Sequence, residues 1–211
     1  MEIRTASLQD LEDIAALEAA CFPVAEAATK AEFAERIQHY GDYFFLLYDK
    51  QKLIAFVDGF VTDEQNLTDE MYEKASLHNE NGAWQMIFGV NTRPEYRRCG
   101  YAKELIKKAI LDAREQNRKG LVLTCKESLV PYYSKFGFVD EGITDKSTHG
   151  NVLWHQMRLD FKLRNNGVNP SDNKNVTAHK TFKADRILSY FKEEWKVLLI
   201  ICLLYTSPSP R

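Results

Sequence analysis

The stretch RRCGYA, Arg97–Ala102, lies between an apolar run that is typical of a strand and an amphipathic run that is typical of a helix. Two interpretations of this joint are open. In the first, Gly100 simply allows a loop to turn into a helix. In the second, backbone N–H groups at the helix N-terminus bind phosphate oxygens. The joint alone does not decide between them, because an arginine, a glycine and an alanine at this spacing arise often by chance.

The segments around the joint predict strands and helices in alternation. The run AWQMIFGVN, residues 83–91, is apolar almost throughout, which is typical of a strand in the middle of a sheet. LVLTC, residues 121–125, predicts a buried strand, and SLVPYYSKF, residues 128–136, predicts a short helix closed by Gly137. The helix after the joint has an apolar stripe at helical spacing, formed by Ala102, Leu105, Ile106, Ala109, Ile110 and Ala113.

The rest of the N-terminal part completes one α/β domain, residues 1–161. EIRTA, residues 2–6, predicts a first strand, and two capping boxes, Ser7-x-x-Asp10 and Thr29-x-x-Glu32, predict the starts of two helices. YFFLLYDKQKLIAFVDGFVTDE predicts two strands around a polar turn, and FVDEGI and NVLWHQMRLDF predict the last two. The predicted order is strand, two helices, three strands, helix, strand, helix and two strands.

The composition is that of a soluble globular protein with no basic field. The chain has 211 residues, 45% of them hydrophobic, and a formal net charge of −2, which argues against a nucleic-acid partner. Four scattered cysteines form no C-x-x-C pair, so neither a metal site nor a disulfide framework is expected. The N-terminus has acidic residues where a signal peptide needs an apolar core, and we therefore expect a cytoplasmic protein.

The last fifty residues differ from the domain before them. Residues 162–181 predict a polar linker, and residues 182–211 predict an apolar tail whose longest apolar run, Val197–Tyr205, is nine residues long. A membrane-spanning helix needs about 20. FKADRILSYFKEEWKVLLIICLLY resembles the start of a multi-span transporter subunit. Our hypothesis is that the tail derives from a neighbouring reading frame or an assembly error, and an uninterrupted frame on resequencing would refute it. A genuine tail would contact a membrane surface or a partner.

Two segments, VNTRPEYRRCGYAKELI (residues 90–106) and LTCKESLVPYYSKFGF (residues 123–138), together resemble the acyl-CoA-binding core of the GNAT superfamily of N-acetyltransferases. The resemblance is closest to the arylalkylamine, or serotonin-type, N-acetyltransferases and their bacterial relatives. It also takes in ALEAACFPVAEAAT and LIAFVDGFVTDE, and so covers about residues 1–161. It implies a mixed, mostly antiparallel central sheet of about seven strands flanked by about four helices.

The resemblance implies acetyl-CoA as co-substrate and no metal. The pantetheine arm is expected along the backbone N–H groups of Phe88, Gly89 and Val90. Arg97 or Arg98 either adds a charge-assisted contact to the phosphates or is a solvated surface residue. The pyrophosphate is expected on the helix N-terminus, where the dipole favours anions, at Arg98, Cys99, Gly100, Tyr101, Ala102 and Lys103.

The resemblance also implies catalytic groups. Tyr133 matches the tyrosine that protonates the departing thiolate, although it could be a packed helix tyrosine like Tyr132. Vertebrate members carry two histidines where this chain has Trp84 and Met86, neither of which can accept a proton. Asp58 interrupts the apolar strand IAFVDGFV, so it is either a paired structural acid or a base or amine-binding carboxylate facing a cleft.

Further residues have a functional and a structural interpretation. Phe22, Pro23 and Val24 match a loop that forms part of the family's amine pocket, but simple packing between two helices would also explain them. His155 is a weaker candidate for the base and is more typical of a packed strand histidine. Glu127 is interpreted as a helix cap.

We therefore predict an acetyl-CoA-dependent N-acetyltransferase that acts on a small primary amine, first an arylalkylamine and next a polyamine. Transfer is expected to be direct, in a ternary complex, rather than through a covalent intermediate on Cys99 or Cys125. The protein would be a monomer or a homodimer. One alternative is a protein N-terminal or lysine acetyltransferase, which needs an open, acidic or extended groove, whereas a closed apolar funnel under Phe22 favours the small amine. The other is a non-catalytic acyl-CoA-binding module.

Overall fold

The apolar runs of the sequence form nine β-strands in the part of the chain that the computed structural model describes, residues 1–147 and 152–162. The strands are β1 Glu2–Thr5, β2 Phe45–Asp49, β3 Lys52–Asp58, β4 Val61–Thr62, β5 Trp84–Ile87, β6 Gly89–Thr92, β7 Gly120–Cys125, β8 Val139–Ile143 and β9 His155–Asp160.

Five α-helices accompany these strands in the same described residues. They are α1 Leu11–Cys21, α2 Lys30–Tyr40, α3 Asp69–Glu73, α4 Tyr101–Glu115 and α5 Val130–Ser134. The predicted capping box opens α2, because the Glu32 N–H donates to Thr29 Oγ1 at 3.2 Å and the Thr29 N–H donates to the Glu32 carboxylate at 2.6 Å. The predicted stripe of α4 is buried at Leu105, Ile106, Ala109 and Ala113.

The strands form two sheets, whereas the sequence predicted a single sheet of about seven strands. The first sheet has the order β1-β2-β3-β6 and is antiparallel throughout. The second has the order β4-β5-β7-β9-β8 and is antiparallel except for the β5–β7 pair. The predicted α/β class with mixed, mostly antiparallel pairing is confirmed. The strand count is corrected to nine strands in two sheets within the described residues.

The sheets separate because two apolar runs that predicted single strands are each broken in the middle. The run 83–91 breaks at Phe88, whose N–H donates to the Asp58 carbonyl at 2.8 Å, so β5 and β6 join different sheets. The other run breaks after Asp58, and the Phe60 carbonyl accepts the Met86 N–H at 2.8 Å. These bonds hold the two breaks side by side, where the chain passes from one sheet to the other.

The side chains of β2 alternate between two hydrophobic layers, as the period of a strand requires. Leu46 and Tyr48 pack in the layer that contains α1 and α2. Phe45 and Leu47 pack in the layer that contains α4. Helices therefore cover both faces of the first sheet.

Gly59→Ala is expected to destabilise the protein strongly, because the joint between the sheets leaves no room for a side chain. A Cβ at Gly59 would lie 1.8 Å from the Met86 carbonyl oxygen and 2.8 Å from its carbon, both of which are backbone atoms. Overpacking of this kind costs about 3 kcal/mol or more. The melting temperature should fall by roughly 6–12 °C in thermal unfolding followed by circular dichroism.

A matched control is Gly142→Ala on the edge strand β8, where a Cβ would meet no atom within 4 Å. That glycine has a φ of 89°, so the substitution adds only backbone strain of about 1 kcal/mol. Equal melting temperatures for the two variants would show that the joint is not as tightly packed as described.

The predicted linker and apolar tail, residues 162–181 and 182–211, lie outside the described residues apart from position 162. Among the helices within residues 1–147 and 152–162, none is both long enough and apolar enough to cross a membrane.

Candidate active site

β5 and β7 form a parallel pair and then diverge, which leaves an opening between the two sheets. The pairing runs from Trp84 with Gly120 to Ile87 with Leu123. Beyond this point β6 pairs with β3, while β7 continues along β9. One edge of β6 and one edge of β7 therefore face the opening.

A cavity of about 1130 Å³ occupies this opening and extends from the N-terminus of α4 to residues of α1, α2 and α3. Its walls include residues of both diverging strands: Gly89, Val90 and Thr92 of β6, and Leu123, Thr124 and Cys125 of β7.

Residues of the Arg97–Ala102 joint, between β6 and α4, line one end of this cavity. Gly100 has a φ of 90° and Arg98 a φ of 65°, so the chain makes a left-handed turn immediately before α4. The N–H groups of the first turn of a helix have no intrahelical partners, and with the positive end of the dipole they favour an anion. The predicted residues that line the cavity are Arg98, Gly100, Tyr101, Ala102 and Lys103.

The same end of the cavity is rich in positive charge. Four cationic side chains in or next to the first turns of α4 line the cavity: Arg97, Arg98, Lys103 and Lys107. Lys135, the residue after α5, lines it as well. Arg97 Nε also donates to the Thr92 carbonyl at 3.3 Å, which anchors this side chain to β6. The sequence assigned Cys99 to the same anion-binding turn, residues 98–103 at the N-terminus of α4, which is called the α4 cradle below. Cys99 itself does not line the cavity. Its exposed thiol is 3.6 Å from the Arg97 carbonyl oxygen.

The predicted backbone donors on β6 are not equivalent. The Phe88 N–H is already used, since it donates to the Asp58 carbonyl. Gly89 pairs with Asp58 in the same register in which the Arg93 N–H donates to the Ile54 carbonyl at 2.9 Å. Successive N–H groups of a strand point to opposite sides, so the Gly89 N–H also points towards β3 and the Val90 N–H points towards the opening. All three residues line the cavity.

Asp58 lies at the end of β3, with 1% of its surface exposed, and its side chain lines the cavity. Gly89 is its register partner on β6, and a Cβ on Gly89 would lie only 2.5 Å from Asp58 Oδ1. Arg36 of α2 pairs with the carboxylate, at 3.3 Å between Nη1 and Oδ2. Burial raises the pKa of Asp58 to about 7; the Arg36 charge opposes the rise and the Glu18 carboxylate adds to it.

Glu18 and Arg36 are site residues that the sequence reasoning missed. Glu18 is buried on α1, where it accepts the Ala28 N–H at 3.1 Å and Asn91 Nδ2 at 2.5 Å. Arg36 donates to the Tyr72 carbonyl at 2.9 Å. Both charges occupy the apolar faces of their helices, and that unusual placement is the sequence signal that could have identified them.

Tyr133 lies on α5, is 6% exposed and lines the cavity. Its hydroxyl has no hydrogen-bond partner within residues 1–147 and 152–162. Burial raises the pKa of Tyr133 well above its usual range, so the phenol stays protonated at neutral pH. Cys125 lines the same wall, with its sulfur 3.5 Å from Met157 Sδ. Burial raises the pKa of this thiol to about 12, which keeps it neutral and weakly nucleophilic.

Tyr72 of α3 is another lining residue that no sequence motif indicated. Its hydroxyl is 3.1 Å from Thr124 Oγ1 on β7, and its ring centroid is 4.8 Å from that of Phe88. Burial raises the pKa of Tyr72 to about 12. This side chain therefore connects α3 to both diverging strands and helps to form the wall of the cavity.

The loop after α1 contributes differently from the prediction. Phe22 lines the cavity, but Pro23 and Val24 do not, and Val24 is 96% exposed. The Pro23 carbonyl accepts the N–H groups of Glu26 and Ala27, both at 2.9 Å, and this turn directs Val24 outwards. Glu26 and Ala27 line the cavity instead.

The remaining sequence candidates lie away from the cavity. Trp84 and Met86 are buried in β5, and His155 pairs with Asp140 at 3.1 Å on neighbouring strands. Glu127 opens a short 3-10 turn. In the described part of the chain, no group of three or more His, Cys, Asp or Glu side chains is arranged to hold a metal ion.

Comparison with known proteins gives a consistent picture. Serotonin N-acetyltransferase of Mesocricetus auratus is 29% identical over 93 residues, which are 43% of this chain and 43% of that protein; the match thus spans less than half of the relative's length. The loading GNATL domain of CurA from Lyngbya majuscula superposes with a TM-score of 0.66 at 17% identity, over 77% of this chain and 98% of that one.

The ribosomal-protein-S18-alanine N-acetyltransferase of Escherichia coli superposes with a TM-score of 0.54 at 17% identity, over 75% of this chain and 92% of its own. At such identities the two structural matches show the fold alone. The sequence pattern of the acetyltransferase (GNAT) family matches residues 11–138, more than half of the chain. The anion-binding N-terminus of α4 and the opening between β6 and β7 fit acetyl-CoA, the co-substrate of that family. The chain belongs to the GNAT family of acetyltransferases.

Proposed function

We propose that this protein transfers the acetyl group of acetyl-CoA directly to a small primary amine in a ternary complex. The observation that carries the proposal is the buried Asp58 carboxylate, which lies beside the backbone of Gly89 in the same cavity as the N-terminus of α4. Transfer to an amine needs an anion cradle, a slot for the acyl arm and a base, and these features supply all three. The match to serotonin N-acetyltransferase, whose name gives a small amine as its acceptor, supports the proposal.

In this proposal Asp58 takes a proton from the acceptor ammonium. A carboxyl group with a pKa of about 7 is half-ionised at neutral pH and is a stronger base than an ordinary aspartate. An alkylammonium with a pKa of about 10 makes the transfer uphill by about 3 pKa units, or about 4 kcal/mol. Burial of the site and the nearby Arg36 charge lower the pKa of a bound ammonium and so reduce this cost, whereas the ionised carboxylates that line the same end oppose the effect.

Tyr133 supplies the proton for the leaving group. The amine nitrogen forms its bond to the carbonyl carbon, the carbon–sulfur bond breaks, and the sulfur takes the Tyr133 proton. A proton from the acetylated nitrogen, passed through water, restores the phenol. Burial raises the pKa of a thiol as well as that of Tyr133, so the reference gap of about 1.5 units need not widen. In this proposal the Val90 N–H, which faces the opening, is the donor to the thioester oxygen, a contact worth roughly 3–4 kcal/mol.

The acceptor end of the cavity favours a small amine over a polypeptide. Glu26, on the loop after α1, pairs with Lys126 after β7 at 2.9 Å. This ion pair connects two segments that are 100 residues apart, the loop after α1 and the segment after β7, and in this proposal that connection limits the room for an extended chain. The end is lined by acids and is not the apolar funnel expected for an arylalkyl group. An acidic groove is the feature expected of the alternative, a protein acetyltransferase, so this observation does not favour the arylalkylamine. The buried Asp58 and Tyr133 together argue against a module without catalysis.

Acetyl-CoA-dependent thiol release by the full chain tests the proposal. We expect turnover with at least one of tryptamine, phenethylamine and spermidine, and little with a lysine-containing peptide. Thiol release only with the peptide would favour a protein acetyltransferase. Binding of acetyl-CoA without release for any acceptor would favour the non-catalytic module.

A further inference from the structure

The Asp58 carboxyl and the Asn91 amide are neighbours on one face of the first sheet. Asp58 of β3 pairs in register with Gly89 of β6, and Asn91 follows Gly89 by two positions, so all three residues share that face. A Cβ on Gly89 would lie 2.5 Å from Asp58 Oδ1 and 3.1 Å from Asn91 Oδ1. The two oxygens therefore converge above the backbone of Gly89.

Glycine is required at position 89 for space and not for backbone conformation. The φ of Gly89 lies outside the left-handed region, so other residues could adopt it. Glycine weakens the interior of a strand and often marks a place where another group approaches closely. Here its missing side chain is what lets the oxygens of Asp58 and Asn91 come together.

Asn91 is fully buried, and within the described residues its amide oxygen accepts no hydrogen bond. The orientation of the amide is set at its other end, where Nδ2 donates to Glu18 Oε2 at 2.5 Å. A reversed amide would bring two acceptor oxygens together, so Oδ1 has to point away from Glu18. A buried acceptor without a donor is costly, unless another protonation state of the site supplies one.

The proton that Asp58 takes up in the proposed reaction belongs on Oδ1. The other carboxyl oxygen, Oδ2, faces Arg36 Nη1 at 3.3 Å. A guanidinium has donors only, so a proton on Oδ2 would point at another donor. An O–H on Oδ1 instead lies beside Asn91 Oδ1, the acceptor that lacks a donor.

Three helices place titratable or charged groups against Asp58: Glu18 of α1, Arg36 and Tyr40 of α2, and Tyr72 of α3. Burial raises the pKa of Tyr72 to about 12 and that of Tyr40 above its usual range, so both phenols are neutral near pH 7. Glu18 and Arg36 act on Asp58 in opposite directions. Because these two charges oppose each other, a local hydrogen bond can decide how firmly Asp58 holds a proton.

We propose that Asn91 is a positioning residue whose amide oxygen accepts a hydrogen bond from protonated Asp58 and thereby strengthens Asp58 as the base. An N–H bond of the acceptor ammonium breaks, an O–H bond forms on Asp58 Oδ1, and this O–H donates to Asn91 Oδ1. Water takes the proton away after the reaction. This inference rests on the proposed function, in which Asp58 is the base, and Asn91 acts only through Asp58.

The test follows the protonation of Asp58 by infrared spectroscopy of the full chain without substrate. The carboxyl C=O band that titrates near pH 7 and is missing from Asp58→Asn belongs to this residue. In Asn91→Leu the midpoint should fall by about one pH unit, because the protonated form loses its acceptor. The rise of kcat/KM near pH 7 should move down with it. Asn91→Ala, which cannot overpack the site, should move the midpoint in the same direction.

Gln85→Met is the matched control. Gln85 is also a buried amide whose oxygen has no partner in the described residues, but it lies on β5 and outside the cavity lining. Its replacement should leave the midpoint within about 0.3 pH unit of wild type. A second control is the Glu18→Gln background, in which an amide oxygen still accepts from Asn91 Nδ2. Asn91→Leu should cause the same fall there.

Each other outcome overturns something specific. A fall that disappears in the Glu18→Gln background would show that Asn91 acts only by holding Glu18, and would refute the direct hydrogen bond. An unchanged midpoint in folded Asn91→Leu and Asn91→Ala would refute the inference and leave the proposed function intact. A midpoint that falls while the kcat/KM profile stays in place would show that Asp58 is not the base, so the base of the proposed function and the role of Asn91 would both fall.

Discussion

Asp58→Asn is expected to lower kcat/KM for amine acetylation by about 10²–10⁴-fold, the usual contribution of a general base. Asparagine keeps the size of the side chain and its contact with Arg36 but cannot take a proton from the acceptor. The loss should appear in steady-state thiol release with the preferred amine. The KM for acetyl-CoA should change little, because the groups proposed to hold its phosphates are at the N-terminus of α4 and Asp58 is not one of them.

The pH profile distinguishes a base from a merely structural acid. Burial gives Asp58 a pKa of about 7, and only the ionised form can accept a proton. Wild-type kcat/KM should therefore rise with pH and level off above about 7, with a further rise only where the amine itself loses its proton. In the profile of the Asp58→Asn variant, the rise of kcat/KM near pH 7 (the limb near pH 7) should be absent. The rise that accompanies deprotonation of the amine should remain.

A folding control is needed, because Asp58→Asn leaves Arg36 buried without its carboxylate partner. The melting temperature and acetyl-CoA binding show whether the variant is folded. A folded variant with activity within about threefold of wild type, and with the limb near pH 7 intact, would show that Asp58 is not the base. Glu18 would then be the next carboxylate to test.

The local elements could be predicted from the sequence because their signals are local. The stripe on α4 repeats at helical spacing and is buried as expected at Leu105, Ile106 and Ala109. The Thr29 capping box forms because both partners lie within one turn. The break at Phe88 could not be predicted, since the run 83–91 is apolar on both sides of it. The break arises from a hydrogen bond to Asp58, 30 positions earlier in the chain.

The candidate site likewise has one part that the sequence located and one part that only the structure shows. The α4 cradle and Tyr133 lie in continuous motifs, so the resemblance located them residue by residue. The acidic end is assembled from segments spread between Glu18 and Glu73. Glu18 and Asp58 stand out individually, because each interrupts an apolar face or strand, but nothing in the sequence brings the two together. Only the closeness of these segments in space turns single acids into a cavity wall. Arg36 shows the same limit, because its partner Asp58 is 22 positions away.

Tyr133→Phe is expected to lower kcat by about 100-fold while the KM for acetyl-CoA stays close to that of wild type. The substitution removes only a hydroxyl that has no partner in the described residues, and the ring keeps its edge-to-face contact with Phe138, at 6.2 Å between centroids. Folding and co-substrate binding are therefore preserved, and the loss falls on protonation of the departing thiolate. Steady-state kinetics with varied acetyl-CoA separate kcat from KM.

Tyr132→Phe is the matched control, because the neighbouring ring packs edge-to-face against Tyr133 at 5.2 Å and loses the same single atom. It should lower kcat by less than about threefold. The raised pKa of Tyr133 adds a second readout: a phenol that ionises only well above pH 10 produces no falling limb in the wild-type profile below that pH. If both tyrosine variants lose the same activity, the effect belongs to packing of α5, and the proton must reach the sulfur from water.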